Sequence, residues 1–196
     1  MYYIDVIDED GETTGDRETT TDPNEADRYY VGTGIPDFWG GLTNNFTFGN
    51  FDLSVLFTYG VGGTMYDMAY SWLMGEGRYG YHLHADRLDR WRQPGDHEIT
   101  DQPRMENDRP ELFFASDRNL QPMDFLALKN VTLNYRVPQS FTGQYGINEL
   151  GVFVSAENLF IMNENTGMDP QHSFTGQTDH GYFPVRTITF GLNLQF

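Results

Sequence analysis

The chain has 196 residues and a formal net charge of -17, which excludes nucleic acid as a partner because phosphates would be repelled. The absence of cysteine excludes disulfides, thiolate catalysis and cysteine-based zinc sites, and no apolar run of about 18 residues could form a transmembrane helix. Aromatic residues make up 15% of the chain, and with 21 glycines they favour transmembrane β-structure.

The first predicted segment, residues 1–40, is acidic and rich in turn-forming residues, and we interpret it as an external loop. It has neither a basic start nor an apolar core, so an export signal would have to lie upstream of this chain. Asp8 and Asp10, in the sequence DEDG, resemble part of a calcium loop. Val6 and Arg17 stand where that loop requires ligands, so a solvated acidic turn is the favoured interpretation.

Residues 41–63 predict a β-hairpin. Apolar and polar residues alternate from Leu42 to Val61, which gives the hairpin one apolar face and one polar face. The sequence Gly49-Asn50 interrupts the alternation, and such a dipeptide is typical of a two-residue hairpin turn.

Residues 64–123 have no regular pattern and form a predicted long external loop, of a length that is usually functional. The candidate contacts to a ligand or partner in this loop are four aromatic residues, Trp72, Tyr79, Tyr81 and Trp91. Packing in the loop's own core, or in an aromatic girdle, is the alternative for each of them.

Two histidines and three arginines in the same loop suggest further contacts. His82 and His84 have the spacing of residues on one strand face, but no carboxylate partner is indicated, so no metal site is predicted. Arg87, Arg90 and Arg92 are predicted to pair with neighbouring acidic residues.

Residues 124–160 predict a pair of strands. In the first strand, strict alternation places Ala127, Lys129 and Val131 on one face. The second strand leads into Asn158, which we interpret as a turn or backbone cap rather than a ligand contact.

Residues 161–183 predict a second external loop, and residues 184–196 the terminal strand. Five residues of this strand share one apolar face, namely Ile188, Phe190, Leu192, Leu194 and Phe196. The five strands are joined by alternating short and long loops, as in bacterial outer-membrane barrels. Five strands with free edges cannot close, so we predict an all-β fold: the C-terminal antiparallel strands of an incomplete transmembrane β-barrel with long external loops.

Several motifs follow one another in the order found in a single family. They are GIPDFWGGLTNNFTFGNFDLSVLF at 34–57, RWRQPGD at 90–96, DRNLQPMDFLALKNVTLNYRVP at 117–138, VFVSAENLF at 152–160, TGMDPQ at 166–171 and YFPVRTITFGLNLQF at 182–196. In these motifs the chain resembles the C-terminal part of SusC/RagA-type TonB-dependent outer-membrane transporters. No plug domain, TonB box or signal sequence is recognisable in it.

The resemblance implies import of nutrients too large for porins, commonly oligosaccharide fragments and sometimes peptides, across the outer membrane of a Gram-negative, Bacteroidetes-like bacterium. It also implies a SusD-like surface lipoprotein as partner, and the TonB complex, which would act through the missing N-terminal part. Outer-membrane lipid would surround the strands. The barrel assembly machinery would recognise a terminal strand ending in Phe196. No cofactor is implied.

Other classes of protein are possible from the pattern alone. A soluble, secreted β-sandwich that binds carbohydrate through loop aromatics is the main alternative, and a structural outer-membrane piece without a ligand is another. The chain contains no G-x-S-x-G motif, phosphate loop or H-E-x-x-H motif, so we predict that it is not an enzyme. Apolar faces packed against each other in two layers would indicate the sandwich.

Overall fold

The computed structural model describes most of the chain. The described residues are 2–20, 22, 24–75, 82–105, 117–164, 169–171, 175–178 and 181–196. They fall into two compact units: the first comprises Met1–Gly32 and Tyr66–Leu120, and the second comprises Thr33–Met65 and Gln121–Phe196. No helix among the described residues is long and apolar enough to cross a membrane.

The first unit begins with a β-hairpin, where the sequence predicted only a loop. Strand β1 (Tyr2–Ile7) pairs antiparallel with β2 (Thr13–Thr20). Asp8 Oδ1 accepts hydrogen bonds from the backbone N–H groups of Asp10 (3.0 Å) and Glu12 (2.9 Å), so its carboxylate orders the turn. Acidic composition led to the loop prediction, while the β-forming residues of β1 and the Asp-Gly turn determine the hairpin.

Short helices lie in the described part of the first unit that follows the hairpin. Helix α1 spans Met68–Gly75, and 3₁₀ turns span Ala85–Asp89, Asp96–Glu98 and Asp117–Asn119. Two three-residue strands, β5 (Thr64–Tyr66) and β6 (Leu120–Pro122), pair with each other. The boundary between the units falls within these two strands.

The second unit is built on a five-stranded antiparallel sheet with the order β3-β4-β7-β8-β9, and this matches the predicted number of barrel strands. Its strands are β3 (Phe38–Phe48), β4 (Phe51–Val61), β7 (Phe125–Arg136), β8 (Glu149–Asn163) and β9 (Thr187–Gln195). The predicted Gly49-Asn50 turn joins β3 to β4, because Phe48 pairs with Phe51. A short helix, α2 (Gln139–Thr142), lies in the connection from β7 to β8.

The register separates this sheet into an apolar face and a polar face. One continuous row on the apolar face consists of Phe46, Leu53, Leu133, Val154 and Phe190. The adjacent row on the polar face consists of Asn45, Ser54, Thr132, Ser155 and Thr189. The hydroxyls of Thr132 and Ser155 are 2.8 Å apart and hydrogen-bonded, while Phe190 on the apolar face is 78% exposed.

Aromatic pairs mark both ends of the apolar face. Phe51 and Tyr135 pack at the end near the short turns, with ring centroids 4.7 Å apart. Phe38 and Tyr59 make an edge contact at 6.3 Å near the end where the long loops begin. An apolar band between two aromatic ends is the pattern of a strand segment that crosses a membrane.

Candidate functional site

Two β-bulges lie at the same level of the sheet and correct one sequence-based assignment. Leu56 and Phe57 of β4 pair with Asn130 and Leu128, so Lys129 is an extra residue in β7. The bulge shifts the alternation by one residue. Strict alternation was therefore wrong: Ala127 lies on the polar face, and Val131 lies on the apolar face.

The second bulge lies in β8, opposite Lys129. Leu128 pairs with Phe160, and Asn130 pairs with Glu157. Two residues of β8, Asn158 and Leu159, therefore lie opposite the single residue Lys129 of β7. Asn158 has a φ of 51°, a left-handed conformation that asparagine tolerates better than most residues. The prediction of a backbone role for Asn158 agrees with this geometry, although the residue lies within the strand rather than at its end.

The sheet divides at this bulge and leaves a cavity on its polar side. Pairing of β8 with β9 stops at Glu157 and Thr187. Beyond that point, Asn158 Nδ2 donates to the carbonyl oxygen of Val185 (3.3 Å) and holds the segment that precedes β9. The resulting cavity, which we call the bulge cavity, has a volume of about 330 Å³. It is lined by Ala127, Lys129, Asn158, Leu159, Phe160, Ile161, Asp169, Gln171, Phe183, Pro184 and Arg186.

Polar groups converge on the bulge cavity from three parts of the chain. Lys129 Nζ donates to Asn158 Oδ1 (3.4 Å), and Arg186 contributes a second cation. Asp169 is buried, and its Oδ1 accepts hydrogen bonds from the backbone N–H (3.0 Å) and the side-chain amide (2.9 Å) of Gln171. Sequence reasoning did not identify this cavity, because it depends on where β9 leaves β8.

The predicted loop aromatics differ in their surroundings. Trp91 is 37% exposed, and its indole Nε1–H donates to the carbonyl oxygen of Thr100 (2.7 Å), so it helps to hold its own segment. Trp72 lies in α1 and is 69% exposed. Tyr79 and Tyr81 lie outside the described residues. The structure therefore describes two of the four predicted contact residues, and whether they touch a ligand stays a prediction.

The arginines of the same loop contact its backbone. Arg87 is buried, and its Nη1 donates to the carbonyl oxygen of Pro103 (3.0 Å). Arg90 and Arg92 donate to carbonyl oxygens one turn earlier, at 3.1 Å and 2.8 Å. Burial lowers the pKa of Arg87, and the neighbouring Arg90 lowers it further. These side chains stabilise the path of the loop, a role that the predicted acidic pairing did not include.

Hydrogen bonds and burial shift the pKa of three other groups in the first unit. Burial, followed by a hydrogen bond to Asp86 (2.8 Å), raises the pKa of Tyr70 to about 12. A hydrogen bond to Asp117 raises the pKa of Tyr29. Backbone N–H groups, first that of Arg92, hold the pKa of Asp96 below its usual value.

Metal ligands are not grouped in the part of the chain that the structure describes. His84, one of the two histidines with metal-like spacing, instead accepts a hydrogen bond from the Asp86 backbone N–H (3.3 Å) and makes an edge contact with the Tyr70 ring. No group of three or more His, Cys, Asp or Glu residues is placed to hold an ion there.

Comparisons with known proteins agree with the membrane-strand geometry. No family model matches the chain. It is 28% identical over 197 residues to TonB-dependent receptor P3 and 31% identical over 180 residues to TonB-dependent receptor P39, both from Formosa agariphila. These matches cover 95% and 87% of this chain but only 19% and 17% of the relatives' length. The chain thus spans about a fifth of the receptors that it resembles.

Solved structures show the same fold. The RagAB peptide importer in its closed-closed state matches with a TM-score of 0.76 at 22% identity, and another RagAB peptide transporter structure matches at 0.75. Each match covers 100% of this chain and 22% of the other.

The open five-stranded sheet matches part of the RagAB structures, so the predicted fold class, the strands of an incomplete β-barrel, is confirmed. The predicted resemblance is confirmed as well: over nearly its whole length the chain is similar to part of TonB-dependent receptors P3 and P39, and it shares the fold of part of the RagAB structures.

Proposed function

We propose that this chain supplies barrel wall and external loops to a TonB-dependent transporter in the outer membrane of a Gram-negative, Bacteroidetes-like bacterium. The observation that carries the proposal is the match of 95% of the chain to TonB-dependent receptor P3. The exposed apolar face supports it, since hydrocarbon would cover side chains such as Phe190 while the polar face lines a wet interior.

The proposed cargo is a solute too large for porins, either a glycan fragment or a peptide. The similarity to a peptide importer favours considering peptides beside glycans. A SusD-like lipoprotein is the proposed surface partner, and the TonB complex would supply energy through another part of the receptor. Outer-membrane lipid would surround the strands, and exposed Phe196, which follows β9, would be recognised by the barrel assembly machinery.

The soluble sandwich requires a second layer over the apolar face. Leu42, Phe46 and Phe48 of β3 are each more than half exposed, as is Leu192 of β9. In a sandwich such residues would be buried between two sheets. Their exposure therefore favours the transporter over the secreted carbohydrate-binding module.

Gene disruption tests the proposal. The segment encoding this chain would be removed from its receptor in the native bacterium, and uptake of fluorescently labelled oligosaccharides and peptides would be measured in separate arms. We expect the intact receptor in the outer-membrane fraction. Deletion should abolish uptake of either the oligosaccharides or the peptides, and the intact gene should restore it. Recovery of the intact protein in the soluble fraction, or unchanged uptake in both arms, would contradict it.

A further inference from the structure

The bulge cavity concentrates positive charge in a strongly acidic chain. Lys129 is the only lysine in the sequence, and it lines this cavity together with Arg186. The chain as a whole has 29 acidic and 12 basic side chains, so two cations at one cavity contrast with the negative net charge of the chain. Two cations on one cavity wall attract an anionic group to a place that the acidic chain as a whole would otherwise repel.

Neither cation is bonded to a carboxylate among the described residues. Lys129 has one hydrogen bond, to the neutral Asn158 amide. Arg136, another cation of the same strand, shows the contrast: it pairs with Asp52 at 3.2 Å near the end with short turns. Asp169 also lines the cavity, but its Oδ1 already accepts two hydrogen bonds from Gln171, one from the backbone and one from the side chain. The cavity therefore retains donor capacity for a further acceptor.

The arrangement of these groups favours a carboxylate. Asn158 connects Lys129 Nζ to the carbonyl oxygen of Val185, the residue before Arg186, so a single side chain ties the two cationic segments together. A guanidinium donates two parallel N–H groups that match the two oxygens of a carboxylate, and an ammonium adds a point charge. Apolar residues such as Phe183 and Ile161 complete the wall and would contact the rest of the solute.

We propose that the bulge cavity binds a carboxylate group of the transported solute, with Arg186 and Lys129 as its cationic ligands. The inference rests on the proposed transport function and makes its substrate class more specific. The carboxylate could belong to the C-terminus of a peptide or to a uronic acid of a glycan, and the two sources share the same recognition chemistry.

Calorimetric titration of the intact receptor in detergent, at low ionic strength, tests the inference with two pairs of probes. Trialanine is compared with its C-terminal amide, and trigalacturonate is compared with neutral maltotriose. We expect one carboxylate probe to bind at least tenfold more tightly than its neutral counterpart. The pair that shows the preference identifies the source of the carboxylate.

Charge-removing variants locate the site. Lys129→Gln and Arg186→Gln should each weaken the preferred probe about tenfold, because each removes a charge-assisted hydrogen bond. Arg136→Gln, which removes a cation from the same strand outside the cavity, should leave binding unchanged. A receptor that assembles in the outer membrane and imports labelled solute, yet prefers neither carboxylate, overturns this inference alone. Equal losses in all three variants overturn it too, whereas failure to reach the outer membrane contradicts the transport function.

Discussion

The ring of Phe153 on β8 covers Gly191, its directly opposed neighbour on β9, and occupies the space that a Cβ atom at position 191 would need. An aromatic ring over a glycine excludes water from the sheet surface and fixes the register of the two strands. This pair lies on the polar face, where most neighbours are small or hydrophilic. It therefore stabilises the last strand pair without adding to the apolar face.

Gly191→Ala should destabilise the receptor by about 1 kcal/mol, because the Phe153 ring must rotate away from the sheet. Gly151→Ala is the matched control on the same face. Its Cβ would meet Asn193 at an ordinary 3.7 Å, so we expect little change. Urea unfolding of the receptor in lipid vesicles measures both variants. Equal free energies of unfolding would show that the ring contact does not stabilise the strand pair.

Adjacent residues of β9 test which face meets lipid. Phe190→Arg places a charge on the exposed apolar face near the middle of the strand and should cost about 2–4 kcal/mol in a bilayer. Thr189→Arg places the same charge on the polar face, in the row of Ser155, and should be tolerated. The assembled fraction, measured by heat-dependent mobility in gels, should fall for the first variant alone. Similar losses in both would contradict the lipid assignment.

Within the five-stranded sheet, alternation was sufficient to predict which face each residue lies on wherever the pairing is regular. The hairpin of β3 and β4 has no bulge between its strands, so each apolar residue kept the face assigned to it. In β7 the apolar phase moves from Leu126 and Leu128 to Val131 and Leu133, and this shift is the sequence signal of the bulge. The prediction assumed one unbroken alternation and therefore gave Lys129 no special role.

The bulge cavity could not be predicted from local pattern. Its walls come from β7, from β8 and from the connection between β8 and β9. Asn158, in a left-handed conformation, bonds to Val185 and holds that connection beside β8. The conformation of Asn158 and its bond to Val185 both depend on tertiary structure, because an asparagine within a strand pattern does not by itself indicate a bulge. The sequence could nevertheless show that Lys129 is the chain's single lysine.

Substitutions of Asn158 test the second bulge. Asn158→Val should cost about 2 kcal/mol, because a β-branched residue resists a φ of 51° and the hydrogen bond to Val185 is lost. Asn158→Gly also loses that bond but adopts the conformation freely, so it should cost about 1 kcal/mol. Free energies of unfolding in vesicles give the comparison. A valine variant as stable as the glycine variant would show that backbone conformation is not the constraint.

The two described loop tryptophans should respond differently to substitution. Trp91→Phe removes the bond to Thr100 and should reduce hydrogen-exchange protection of the backbone N–H of residue 91, which bonds to Gln102 (3.0 Å), by about 1 kcal/mol. Trp72→Ala changes a largely exposed side chain of α1 and should leave that protection intact. If the two tryptophans contact a solute or lipoprotein, binding will fall with Trp72→Ala while exchange stays unchanged. Unaltered exchange in Trp91→Phe would show that the indole bond does not hold the segment.

Tyr70 predicts a loss of stability at alkaline pH. Its pKa is raised from 10.0 to about 12, first by burial and then by the hydrogen bond to Asp86. Below pH 10 both folded and unfolded forms keep the proton, so the stabilisation is complete; between about pH 10 and 12 only the unfolded form releases it, and stability falls.

Difference absorption of tyrosinate, wild type minus Tyr70→Phe, should show one group titrating near pH 12. Asp86→Asn should lower that midpoint but leave it above 10, because burial is the larger cause. A midpoint at 10 in the unsubstituted protein would show that the hydroxyl is not buried beside Asp86.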